Sequence, residues 1–282
     1  MANAGRRERA KGPEPFVTLP YLDRKLVVVV DDEVVALARK LKRNPADVAE
    51  AEWKQALVDA RGSTSGPGMI TLGMEVREVC RKARSEKVLV FLAAQSEALQ
   101  LDFPVGHPAH GVLYVGHPAA PRRYLPMADF HRSLFEHKVA EAIRLLVALG
   151  ATDLAIEHVS GWANIKEVGI NLAGADIKPG GVKEGSGQVV MKMTLRPRGA
   201  ARIPDGLIWY EHEPLWQAVA EARLQSGLTS FELDVRYIDD FNINAKLSLK
   251  VGKIGLEIGG KFTEHKETVW HLRGAFAEPA TT

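Results

Sequence analysis

From Phe241 to Val251 apolar and polar residues alternate without a break: Phe241, Ile243, Ala245, Leu247, Leu249 and Val251 against Asn242, Asn244, Lys246, Ser248 and Lys250. Alternation of this kind predicts a β-strand with one dry face. After a turn at Gly252-Lys253 it resumes with Ile254, Leu256, Ile258 and Phe262, and then with Thr268, Trp270, Leu272, Gly274 and Phe276. The C-terminal segment is therefore expected to be an antiparallel meander. Near the other end, Leu26 to Val30 is a short β-branched apolar run, and Asp31 or Asp32 is placed to cap a helix carrying Val34, Val35, Leu37, Ala38 and Leu41 on one side. Asn44 followed by Pro45 opens a second helix that runs to Ala60.

Between these ends the pattern is mixed. A helix is expected from Glu75 to Arg84, an apolar run from Val88 to Ala94, and a hairpin around Gly111 to Val115. The longest helical pattern runs from Asp129 to Leu149 and stops at Gly150. On it, Arg132 with Glu136 and His137 with Glu141 are four apart and read as surface pairs. Strands are expected at Thr152 to Val159, Asn164 to Leu172, Gln188 to Leu195 and Phe231 to Tyr237, with a mobile glycine-rich tip at Ala173 to Gly187. A helix opening at Pro214 is ended by Gly227. The fold class is α+β: an antiparallel sheet with packed helices, plus a small N-terminal strand-helix-helix module.

Glycine and serine concentrate between Gly62 and Gly68, which marks a linker. The expected organisation is a basic arm at 1–15, the module at 16–61, the linker at 62–68 and an α+β domain at 69–282. At 282 residues and 46% hydrophobic the chain can bury a core without staples. A lone cysteine, Cys80, excludes an internal disulfide. With no secretory pattern and no apolar run of membrane-spanning length, the expected setting is the cytoplasm. The glycines lack the lysine and hydroxyl of a phosphate loop, and no cofactor motif is present.

The order of strand, helix and helix at Leu26 to Ala60 resembles the ribbon-helix-helix fold of antitoxins and repressors. What the resemblance implies is an intertwined dimer whose paired strands enter a DNA major groove, with Lys25, Val27 and Val29 outward. Net charge is only +2, but positive residues cluster here. Lys25, Arg39, Lys42 and Arg43, with Arg6, Arg7 and Arg9 of the arm, are the expected phosphate contacts.

Three histidines, His107, His110 and His117, lie close in sequence around the expected hairpin, and imidazole is the commonest metal ligand. They are the candidate metal site and would serve a metal-assisted hydrolase. The alternating strands and glycine-rich tip also resemble gasdermin-type proteins, which implies a membrane-active, pore-forming effector with hairpins long enough to cross a bilayer. The leading expectation is a non-enzymatic, homo-oligomeric binding protein that touches nucleic acid through its N-terminal module and senses a ligand or partner through the rest.

Overall fold

The computed structural model describes residues 20–41, 44–60, 68–109, 111–161, 176–179, 188–197, 199–238, 241–262 and 267–278. The chain divides into two units, 1–127 with 248–261 and 128–247 with 262–282.

In the first unit a short helix α1 (Tyr21–Arg24) leads into β1 (Leu26–Val30), and the chain then passes through α2 (Asp32–Leu41), α3 (Glu50–Ala60) and α4 (Gly68–Ser85) before β2 (Phe91–Ala94). That long helical crossover lets β1 and β2 run parallel, with Val28 beside Leu92 and Val30 beside Ala94. After α5 (Gln95–Ala98), β3 (Leu113–Gly116) and β4 (Tyr124–Pro126) add antiparallel strands, giving the order β2-β1-β3-β4. All five residues of β1 are buried, the condition that selects an unbroken valine run over an alternating one. One sheet face packs Val27, Val29 and Ala93 against Leu101, Tyr114 and Tyr124.

The expected strand-helix-helix start is present, with β1 as an inner strand of a sheet completed by residues beyond 90. Gly68 opens α4, which packs on α3 in the same unit. The contact is close because Gly73 has no side chain. A Cβ there would stand 2.5 Å from a methyl of Leu57, and the Gly73 carbonyl accepts the buried Trp53 indole N–H at 2.9 Å.

The second unit holds an antiparallel sheet ordered β6-β7-β5-β9-β8, built from β5 (Ala151–Ser160), β6 (Asp176–Pro179), β7 (Gln188–Thr194), β8 (Ser230–Ile238) and β9 (Glu267–Phe276). α6 (Phe130–Ala148) and α7 (Pro214–Ser226) pack on it. β8 alternates strictly, with Phe231, Leu233, Val235 and Tyr237 inward. Arg223 of α7, 8% exposed, donates to the carbonyls of Leu149, Leu228 and Ala277 and stands over the Phe276 ring. The strand expected at Asn164 to Leu172, and all of the glycine-rich tip except β6, lie outside the described residues.

The expected meander is the largest correction. Its opening run, Phe231 to Tyr237, and its last are strands, β8 and β9, paired antiparallel, and the runs between them are not. Phe241 to Val251 instead leads into α8 (Ala245–Lys253): Asn242 takes a positive φ of 57°, which breaks an extended chain, and the Asn244 side chain accepts the Leu247 N–H at 3.1 Å as a helix cap. The same residues fit helical spacing, since Val251 and Ile254 are buried while Leu249 is 70% exposed. Ile254 to Phe262 forms no strand among the described residues and makes one bridge, Glu257 to Val112. The long alternating hairpin on which the pore-forming expectation rested is therefore not the conformation of this segment. Among the described residues no helix is long and apolar enough to cross a membrane. The whole is an α+β fold with two sheets, mainly antiparallel.

Candidate ligand cleft in the first unit

The sheet face opposite the Tyr114 and Tyr124 core borders a cleft. Val28 and Val30 of β1 and Leu92 of β2 point to this side, as strand alternation requires when Val27 and Val29 point to the other. α4 stands over them. Its buried stripe of Met69, Gly73, Val76, Cys80 and Ala83 includes the Gly73 contact with α3, while Leu72, Glu75, Val79 and Lys82 look into a cleft of about 670 Å³. Gly111 and the segment Ile254 to Glu257 close one end. That end wall is fixed by backbone hydrogen bonds, Glu257 N–H to the Gly111 carbonyl at 3.0 Å and Leu113 N–H to the Glu257 carbonyl at 2.7 Å. Lys253 holds the C-terminus of α8 to Glu86 at 3.6 Å, and Lys250 donates to the Glu86 carbonyl.

The walls are apolar and the mouth is acidic. Glu75, Glu78 and Glu257 border the cleft against one cation, Lys82. Arg81 donates twice to the Glu78 carboxylate, at 2.7 and 2.8 Å, and with Lys82 nearby this holds its pKa down at about 2. Glu78 is thus ionised at every physiological pH. Cys80, on the neighbouring stripe of α4, is buried, and burial pushes its thiol up to about 12, so it carries no thiolate.

Among the described residues, the expected phosphate contacts Lys25 and Arg39 do not lie on an open ribbon. Both edges of β1 are occupied, by β2 and by β3, so it has no edge to share with a second chain, and Val27 and Val29 lie in the core. Lys25 is half-buried beside them, its carbonyl accepting the Gly116 N–H. Arg39 is tied to Glu97 at 2.8 Å, and Glu97 also accepts the Ala94 N–H, which anchors α2 to the start of α5. Lys42, Arg43, Arg6, Arg7 and Arg9 lie outside the described residues.

The His107 ring meets the Tyr114 hydroxyl at 2.7 Å, while the buried His117 ring accepts the Ala119 N–H at 3.2 Å, and His110 is outside the described residues. No group of three or more His, Cys, Asp or Glu able to hold a metal ion occurs among the described residues. Sequence reasoning missed the cleft because it began the helix at Glu75, leaving Thr71 and Leu72 in a loop. The signal was there in Met69, Leu72, Val76 and Val79, apolar at three- and four-residue steps.

Comparison of the chain with protein families, with curated proteins and with solved structures gives no match.

Proposed function

We propose that the protein is a non-enzymatic binding protein whose first unit takes up an amphipathic molecule, an apolar body with a cationic or hydrogen-bond-donating end. One observation carries this reading: a cleft of about 670 Å³ walled by Val28, Val30, Leu92, Val76 and Val79 and bordered by the carboxyl groups of Glu75, Glu78 and Glu257. The volume lies within the range of about 300–1,000 Å³ that small-molecule sites occupy. The apolar wall supplies non-directional affinity and the acidic mouth selects the sign of the head group.

The test compares dodecylammonium with dodecanoate as competitors of a fluorescent apolar probe bound to the full chain. Saturable probe binding, displaced more effectively by the ammonium, is expected. Val79→Trp, which fills the cleft, should abolish probe binding, and Glu75→Lys should shift the preference toward the carboxylate. Equal displacement by both heads, or probe binding that survives Val79→Trp in a folded chain, rejects the reading.

A further inference from the structure

β8 ends the sheet of the second unit. β9 pairs with one of its edges, and among the described residues no strand pairs with the other. Backbone groups of successive strand residues point to opposite edges. The Thr229 carbonyl accepts from Phe276 of β9, whereas the Arg236 carbonyl accepts from Lys138 at 2.7 Å, so Ser230, Glu232, Asp234 and Arg236 present their N–H and C=O groups to the open edge.

α7 runs beside that edge with two apolar stripes. Trp216 and Ala220 are buried. Leu215, Ala218, Val219 and Ala222 form the second, at helical spacing, and Leu215 is 67% exposed. This stripe and β8 enclose a groove of about 440 Å³. A second groove of about 490 Å³ continues along the strand toward Trp209 and Phe241 and shares Leu215 and Asp234 with the first.

We propose that a second copy of this chain docks here, β8 pairing antiparallel with β8 of the other copy about a two-fold axis at Val235, while the exposed α7 stripes meet beneath. A two-fold contact demands a self-complementary surface, and the charges on β8 meet that demand in one register. Residues with open-edge backbone groups must lie opposite each other, so the register is set by the axis position. Centred on Glu232, Asp234 or Arg236, the pairing sets that residue against itself. Centred on Leu233, it sets Glu232 against Asp234. Centred on Val235, it sets Asp234 against Arg236 twice and Glu232 against Ile238, with no like charges opposed. The small side chains of Ala218 and Ala222 let the two helices approach closely. Lys138 occupies one lone pair of the Arg236 carbonyl and leaves the second for the partner strand.

Sedimentation velocity of the full chain over a dilution series tests this directly. The expected result is a dimer that dissociates on dilution. Arg236→Asp replaces two attractions with two repulsions and should raise the dimer Kd by about 10- to 30-fold. Arg236 is 58% exposed and only 3.7 Å from Glu267, so the monomer should keep its thermal midpoint. The exchanged pair Asp234→Arg with Arg236→Asp should recover dimerisation, and Ala222→Arg should abolish it through the helix alone. A wild-type chain that stays monomeric, an Arg236→Asp variant as tightly dimeric as the parent, or an exchanged pair without recovery overturns the proposal.

Discussion

Glu141 is 5% exposed on α6, yet its carboxylate is satisfied by three backbone donors, the N–H groups of Ile208, Trp209 and Tyr210 at 2.6, 2.5 and 2.9 Å. The sequence spacing suggested a surface pair with His137, and the neighbouring expectation does hold, since Arg132 meets Glu136 at 2.9 Å. What separates the two cases is the loop 67 residues downstream, which brings Glu141 a set of donors that local spacing cannot reveal. Glu141→Leu leaves those donors without an acceptor in a dry interior. It should lower the free energy of unfolding by about 3–5 kcal/mol, read from urea denaturation followed by circular dichroism. Glu141→Gln keeps one carbonyl oxygen and should cost less. Equal and small losses for both would mean that water replaces the carboxylate.

At the level of elements, segments with one unambiguous period were legible. β1 occupies Leu26–Val30, α6 covers Phe130–Ala148, and α7 opens at Pro214 and stops at Gly227, each where caps and periodicity placed it. The segment from Phe241 to Val251 was not, because Leu247, Val251 and Ile254 satisfy a helical stripe while Leu249 completes a strand-like one. The deciding signals were the asparagines: Asn242 with positive φ and Asn244 as cap. The cleft was legible only by its parts, since nothing local brings α4 over β1. The two periods make different predictions. A strand would bury Leu249 and Val251 alike, whereas in α8 Leu249→Asn should change stability by less than about 0.5 kcal/mol and Val251→Asn should cost about 2–4 kcal/mol. Chemical denaturation of both variants decides it, and equal costs would restore the strand.

Across the whole molecule, several groups of the first unit keep their protons through burial. The pKa values of Tyr21, Tyr114, Tyr124 and Cys80 are all raised, chiefly because the charged form is cut off from water. Folding thus holds protons that the unfolded chain releases. This contribution is complete below the unfolded values, about 8.5 for a thiol and about 10 for phenols, and drains away as pH climbs through them toward the folded values. The thermal midpoint should be steady near neutrality and fall progressively above about pH 9. A midpoint that holds into strongly alkaline solution would contradict the burial of these groups.

The first unit is discontinuous: its four strands precede residue 127, while the wall that closes the cleft belongs to the return segment 248–261. During synthesis, 257 − 127 = 130 residues must be added between β4 and Glu257. At ribosomal speed that is an interval of about 7–26 s. For that time the valines of β1 face a cleft without its end wall, on a chain still tethered to its template. Vectorial folding of this unit therefore waits for residues made long after β4, and a transcript truncated after β4 would yield a sheet with every strand present and the cleft permanently unfinished.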